Sequence, residues 1–245
     1  MKLTKTTKYN YRLTEETLEK DIDKFIGSAK KGNYHMDKMY NNEGLRITKQ
    51  YFRILQEKFI KEEYEESKVC YEKLIIFCFD ASAGNDLFDY NDLLAKINKE
   101  FDDYIKNYFI CLIKTCDADE LADRVSRYAS HLDVYGFDSD KKILLENLNK
   151  LQLNNLEARM LIKTEGMTKK DQDKQDIIHF LMSIAEIQEN KEKYLELCER
   201  FRGIFNNKEF EYLKGEYEEN KLFESKIDRA INELKLKKEV RKNGK

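Results

Sequence analysis

The residue types best suited to catalysis or metal binding are few and scattered in this sequence. It contains three histidines, His35, His131 and His179, and five cysteines. Zinc sites commonly bring two ligands together as a Cys-x-x-Cys pair, and no such pair occurs here. His131 also lacks an acidic residue at the spacing that places two ligands on one helix face. The pattern predicts neither a metal site nor a cofactor, and we interpret His179 as a half-buried, hydrogen-bonded residue.

Three clusters of acidic residues could be interpreted as calcium-binding sites. An EF-hand loop requires glycine at its sixth position and glutamate at its twelfth, and none of the clusters begins such a loop. Aspartate is also a favoured residue at helix N-termini, so the sequence favours helix capping. The clusters are Asp117/Asp119/Glu120, Asp138/Asp140 and Asp171/Asp173/Asp176.

No local motif indicates a catalytic residue. The glycines form no phosphate-binding G-x-x-x-x-G-K pattern, and Ser82, although followed by Gly84, does not complete the G-x-S-x-G pattern of a hydrolase nucleophile elbow. The five cysteines, Cys70, Cys78, Cys111, Cys116 and Cys198, mostly lie among apolar neighbours, which predicts reduced core thiols. An enzyme whose site is assembled from distant residues remains an alternative, because such a site leaves no local motif.

Composition favours helices and excludes several classes of protein. The chain of 245 residues has no proline and only 9 glycines, so it has few of the residues that form the many tight turns of an all-β fold. Charged residues form 38% of the sequence, which indicates a fold with much surface per unit volume. The 45 basic and 47 acidic residues nearly cancel, so no global field marks a nucleic-acid or membrane binder.

Apolar residues at helical spacing then define the elements. A stripe in residues 45–61 and another from Tyr64 to Cys78 are separated by a short charged turn, which predicts a helix hairpin. The longest helix follows the loop Ala81–Asp86 and carries a sustained stripe that includes Phe101, Tyr104 and Tyr108. Gly32 is expected to end the first helix, and Asp117 or Asp119 to cap the helix after the longest one. A short helix that carries Leu148 and Leu151 and another at 154–163 are predicted further along the chain. We therefore predict an all-α fold of antiparallel helix hairpins, stacked as a short α-solenoid or an irregular helical bundle.

Breaks in the pattern suggest a division into five segments. Residues 1–13 form a basic extended arm, and Thr14 is expected to cap the first helix of an N-terminal helical region, 14–165. The polar stretch 166–176 is a possible hinge. Residues 177–240 form C-terminal helical hairpins, and 241–245 form a basic tail.

The predicted hairpin resembles the middle of a tetratricopeptide repeat. That family has a turn ending in an aromatic residue, then two acidic residues, a small residue and a large one. In this chain Tyr64 would be the turn aromatic, Ser67 the small contact and Tyr71 the large packing residue, with Tyr51 and Ile54 as anchors of the first helix. The resemblance implies paired helices that present a surface to another protein.

The chain departs from that family pattern at three points. Glu62 replaces the usual turn glycine, Leu74 replaces a small residue, and no proline ends the unit. A true array would repeat about every 34 residues, and only one copy is found. A looser resemblance links residues 64–136 to the helical region that accompanies SWIM-type zinc fingers, but the zinc-binding motif is absent, so a zinc or nucleic-acid role does not carry over.

The leading functional hypothesis is a non-catalytic protein–protein interaction module in the cytoplasm. Tyr104 and Tyr108 lie one turn apart and are candidate partner contacts, although packing in the core is the alternative for both. A nucleic-acid accessory factor is a second hypothesis, based on the basic arm and tail. The candidate nucleic-acid contacts are Lys235, Lys237, Lys238, Arg241 and Lys242.

The sequence does not indicate a membrane protein or a secreted one. No apolar run of about 18 to 20 residues occurs, and the N-terminus lacks the apolar region of a signal peptide.

Overall fold

A computed structural model of the chain describes residues 15–34, 43–82, 93–132, 138–168 and 171–203, together with position 215. These residues contain nine α-helices and no strand, which confirms the all-α prediction. The helices are α1 (Leu18–Lys30), α2 (Glu43–Ile60), α3 (Tyr64–Ser82), α4 (Leu93–Thr115), α5 (Ala118–Ala129), α6 (Asp138–Asn147), α7 (Lys150–Glu165), α8 (Gln172–Ile187) and α9 (Lys191–Arg200).

Several helices begin at a side-chain cap that satisfies backbone N–H groups of the first turn. Thr17 caps α1 and Asp117 caps α5, whereas the sequence suggested Thr14 for the first and left Asp117 and Asp119 open for the other. Asn149 and Gln152 form a reciprocal capping box at the start of α7, with hydrogen bonds of 3.0 Å in both directions. This box begins α7 earlier than the predicted short helix at 154–163.

Three helices end in the same left-handed turn. Gly32 follows α1 with φ 77°, Glu62 follows α2 with φ 61°, and Glu189 follows α8 with φ 53°. In each turn the next residue's N–H reaches back to a carbonyl five positions earlier, as Glu63 does to Lys58 at 3.1 Å. A glutamate adopts this backbone at a cost that glycine avoids. Around the α2–α3 turn, Lys58 pairs with Glu63 and Glu66.

Helices α3 and α4 form the centre of the first packed unit. Helix α3 contacts α1, α2 and α4, while α4 also contacts α2, α5 and α6. Buried residues occur all round α3, and Leu74 and Tyr71 are fully buried in it. The ring of Phe52 on α2 stacks on Tyr104 at a centroid distance of 4.2 Å. Large aromatic side chains thus fill the space between the central helices.

The chain divides into two compact units, Met1–Leu181 and Met182–Lys245. In the second unit the last turns of α8 bury Ile184 and Ala185, and α9 buries Leu197 and Cys198. The predicted hinge, 166–176, includes residues 172–176, which form the first turns of α8. A hinge function for this segment stays a prediction.

Two parts of the predicted organisation lie outside the described residues. The basic arm, 1–13, is one, and the basic tail, 241–245, with the candidate nucleic-acid contacts from Lys235 to Lys242, is the other. Among the helices that the structure describes, none combines the length and apolar character needed to cross a membrane.

Candidate functional site

The two tyrosines predicted as partner contacts are core residues. Tyr104 is 2% exposed and Tyr108 is fully buried, so the interpretation that they line a presented surface is wrong. The ring of Tyr108 packs against Phe109 and Tyr128, at centroid distances of 5.4 and 6.2 Å. The physical reason is the central position of α4, which contacts neighbours on several sides and buries both tyrosines.

Burial also controls the chemistry of these groups. Desolvation raises the pKa of the Tyr104 and Tyr108 hydroxyls above the ordinary value. The same effect raises the pKa of Cys70 and of Cys111 to about 12 and that of Cys198 to about 11. All five cysteines are free thiols and four of them are buried, as predicted for core residues. Neutral buried thiols are poor nucleophiles.

The histidines come together in no metal site within the described ranges, where no group of three potential ligand side chains occurs. His131 caps its own helix, with Nδ1 2.8 Å from the carbonyl oxygen of Arg127. His35 lies outside the described residues.

Helix α7 carries two of the three most exposed large apolar side chains among the described residues, and Ile60 is the third. Leu151 is 70% exposed and Ile162 is 64% exposed. These residues are eleven positions apart, which is close to three full helical turns, so they lie on one line along the helix. Asn155 and Ala158, both exposed, lie between them on that line. We call Leu151, Asn155, Ala158 and Ile162 the outward face of α7.

The opposite side of α7 is buried. Leu153, Leu156, Met160 and Thr164 are at most 5% exposed. They lie about half a turn away from the outward face, and α7 contacts α5 extensively. Leu151 was expected in the preceding short helix with Leu148, as part of its apolar face. The capping box at Asn149 instead places Leu151 in the first turn of α7, on the side away from the core.

Ion pairs reinforce the seating of α7 on α5. Arg159 pairs with Asp119, and Lys163 pairs with Asp123. The two cations lie four residues apart on α7, and the two aspartates lie four residues apart on α5. The two pairs therefore align along the interface. Arg159 and Lys163 are therefore engaged at the flank of α7, and the four residues of its outward face carry no charge in a chain of which 38% is charged.

Helix α5 is tied in turn to α3 by a second set of ionic contacts. The carboxylate of Glu72, which is 5% exposed, accepts hydrogen bonds from Arg124 and, at 3.2 Å, from Arg127. Glu120 accepts from Arg124 at 2.9 Å and lies 3.1 Å from the ammonium of Lys68. Hydrogen bonds from Arg124 and Lys68 lower the pKa of Glu120. The support beneath α7 is thus a charged network that holds α5 in place.

A small cavity of about 100 Å³ opens beside the outward face, between α7 and the junction of α4 with α5. Its wall combines aliphatic side chains with Cys116 and Asp117, and Asn155 and Gln152 lie on the α7 side. Asn155 therefore belongs both to the cavity and to the outward face. The aliphatic residues of the wall are Ile113, Ala118, Leu121, Leu148 and Leu156.

Sequence reasoning missed this surface although a signal was present. Residues 150–165 contain more apolar side chains than one helix face can hold, since Leu151, Leu161 and Ile162 accompany the buried set. Such an excess indicates either burial on all sides or an exposed apolar face. Only the position of α7 in the fold separates the two.

Comparisons with known proteins identify no relative. No family model matches the sequence, and searches of curated proteins and of solved structures return no match.

Proposed function

We propose that this chain is a non-catalytic protein–protein interaction module and that it binds a protein partner through the outward face of α7. The observation that carries the proposal is the pair of exposed aliphatic side chains, Leu151 and Ile162, on an uncharged line along a helix. Exposed apolar surface commonly marks an interaction site where it is contiguous. Ala158 lies next to Ile162 on this line, and Asn155 separates them from Leu151, so the proposal requires a partner that covers the whole line.

The expected energetics require a partner that covers more than these two residues. Burying a large aliphatic side chain contributes about 1.5 to 3 kcal/mol, so covering Leu151 and Ile162 would contribute on the order of 4 kcal/mol. That gain corresponds to only about millimolar affinity before association costs are met. The partner is therefore expected to cover Asn155 and Ala158 too and to reach the neighbouring cavity. An apolar side chain placed in this cavity would act as an anchor.

The ionic contacts beneath α7 favour this use. Arg159 and Lys163 join α7 to α5, and Glu72 joins α5 to α3, so the outward face is carried by helices fixed to the centre of the unit. A face presented on rigid elements loses little conformational entropy on binding.

The test compares partner capture by the full-length chain and by charged variants. The double variant Leu151→Glu/Ile162→Glu places two charges on the outward face, and we expect it to lose captured partners because desolvating these charges opposes binding. Ile60→Glu is the matched control, because Ile60 is 73% exposed at the end of α2 and lies outside the outward face. It is expected to retain the partners.

Thermal melting accompanies the capture experiment. All three substituted positions are exposed, so each variant should melt within a few degrees of the unmodified chain. If the double variant and the Ile60 variant capture the same proteins as the unmodified chain, the outward face of α7 is not the docking surface.

A further inference from the structure

The residues of the outward face of α7 have the spacing at which two helices pack side by side. Leu151, Asn155, Ala158 and Ile162 follow one another at intervals of four, three and four residues. Intervals that alternate between three and four keep one line of side chains turned towards a neighbouring helix along its whole length. The outward face therefore suits a second helix that lies along α7.

The order of side chains along this face is similar in both directions. A large aliphatic residue lies at each end, Leu151 and Ile162, and the two smaller residues lie between them. Reversing the direction also leaves the intervals unchanged. In an antiparallel pair of α7 helices, Leu151 of each copy would contact Ile162 of the other, and Asn155 of each would contact Ala158 of the other. A two-fold symmetric interface needs such a self-complementary surface.

Charges at the ends of α7 favour the antiparallel arrangement. Lys150 is exposed in the first turn, and Glu165 is exposed in the last turn. In an antiparallel pair, Lys150 of each copy lies close to Glu165 of the other. Each of these carboxylates also lies near the N-terminal end of the other helix, where negative charge is favoured. A parallel pair would instead place like charges together at both ends.

The other two cations of α7 do not oppose the pairing. Arg159 and Lys163 pair with Asp119 and Asp123 of α5, on the flank of α7. The four residues that would meet between the copies are uncharged. A second copy can therefore approach the outward face without bringing like charges together along it.

We propose that the outward face of α7 binds the same face of a second copy of this chain, with the two helices antiparallel. The inference rests on the proposed function and identifies its protein partner as the chain itself. Each copy contributes Leu151 and Ile162, so the dimer covers four large aliphatic side chains, twice the number that a partner with a polar surface would cover. After association costs, this gain corresponds to a weak dimer with a dissociation constant of about 10 to 300 µM.

The primary experiment measures self-association of the full-length chain by sedimentation equilibrium, at concentrations from about 5 to about 500 µM, which span this range. The variant Leu151→Glu/Ile162→Glu places glutamate opposite glutamate in the antiparallel pair. We expect it to weaken dimerisation at least about tenfold, because two aliphatic contacts are lost and like charges meet.

A second double variant tests the arrangement of the two helices. Leu151→Glu/Ile162→Lys loses the same two aliphatic side chains, but in an antiparallel pair each glutamate meets a lysine of the other copy. We expect this variant to dimerise at least about fivefold more tightly than Leu151→Glu/Ile162→Glu. A parallel pair would place like charges opposite each other in both variants and predicts no such difference.

Ile60→Glu is the matched control for an exposed aliphatic residue outside the outward face. It is expected to dimerise like the unmodified chain. Thermal melting of each variant separates lost association from lost folding, and because all the substituted positions are exposed, each variant should melt within a few degrees of the unmodified chain.

Disulfide trapping gives an independent measurement of the register. Two copies of Leu151→Cys would hold the new thiols about 16 Å apart along the helix axis, whereas Leu151→Cys mixed with Ile162→Cys brings one of each to the same level. A disulfide needs Cα atoms within about 7 Å. Under mild oxidation we expect a cross-linked dimer from the mixture, and from either variant alone no more than the unmodified chain forms.

Three results would overturn the proposal. They are a chain that remains monomeric at all concentrations, equal dimerisation of the two double variants, and equal cross-linking in the mixture and in the separate variants. Partner capture distinguishes this failure from failure of the proposed function. If the chain is monomeric but Leu151→Glu/Ile162→Glu loses a different captured protein, the proposed function stands and self-association fails. If neither dimerisation nor capture depends on the outward face, both fail.

Discussion

Helices α3 and α7 are both apolar on more than one side, yet the fold uses them in opposite ways. Helix α3 lies against α1, α2 and α4, and buried side chains occur all round it. Helix α7 rests chiefly on α5 and leaves Leu151 and Ile162 exposed on its outward face. The comparison shows that a weakly amphipathic helix can be either a central element or a peripheral one with an exposed apolar face. Its place in the fold decides which.

The largest expected difference between the two helices comes from placing the same charge in each. Leu74→Asp puts an unpaired carboxylate into a fully buried position of α3 and should lower the free energy of unfolding by about 4 kcal/mol or more. Leu151→Asp on α7 should change it by no more than about 0.5 kcal/mol, because Leu151 is exposed.

Urea denaturation of both variants, followed by circular dichroism, measures this difference. Similar losses of stability would contradict the assignment of Leu151 to a solvent-facing side of α7. A stable Leu74 variant would contradict the central position of α3.

The ionic contacts around α5 give a second, smaller difference. Glu72 is buried beneath Arg124 and Arg127, so Glu72→Gln leaves two guanidinium groups with weaker partners. We expect it to lower the free energy of unfolding by about 3 kcal/mol. Elsewhere on α5, the side chain of Asp123 is 54% exposed, and that of its partner Lys163 is 36% exposed. Asp123→Asn should therefore cost no more than about 1 kcal/mol.

The same denaturation measurement, repeated in 1 M sodium chloride, checks the reason for the difference. Salt should reduce the effect of Asp123→Asn and leave most of the effect of Glu72→Gln, since buried pairs are screened less. Equal salt sensitivity would place Glu72 in a solvated environment.

The smallest expected effect concerns the turn that joins α2 to α3. Glu62 has φ 61°, so Glu62→Gly should relieve backbone strain and raise the free energy of unfolding by about 1 kcal/mol. Glu57→Gly is the matched control, because Glu57 is an exposed residue within α2. It should lower stability by about 1 kcal/mol.

Thermal melting gives the signs directly. Opposite signs for the same Glu→Gly change would show that the left-handed turn, and not the loss of the glutamate charge, controls the effect. A destabilised Glu62 variant would mean that the side chain of Glu62 makes a net favourable contribution.

Local sequence was a good guide to where many helices begin and end. Gly32 was expected to end α1 and has the left-handed conformation that glycine favours, and Asp117 was one of two caps expected for α5. These features depend on neighbours within a few residues. The start of α1 was missed by three residues because Thr14 and Thr17 are chemically equivalent caps, and the structure uses Thr17.

The candidate docking surface was not predictable in the same way. Tyr104 and Tyr108 have the residue type and the spacing expected of two neighbours on a binding surface, but contacts between α4 and its neighbours bury both. Leu151 has the composition of a core residue, but the capping box at Asn149 and the packing of α7 on α5 turn it outward. Spacing shows which residues share a helix face, but it does not show whether that face contacts another helix or solvent.

The sequence by itself determined the all-α class, the buried, reduced character of most cysteines and the lengths of the strongest helices, because periodicity and capping act over a few residues. Tertiary structure alone decided that α3 and α4 lie at the centre, that Tyr104 and Tyr108 are buried, and that Glu72 of α3 pairs with Arg124 of α5. Each of these depends on contacts between residues distant in sequence. Such contacts form when whole helices pack against one another. Their contribution to the free energy of folding exceeds that of the local conformational preferences of individual residues.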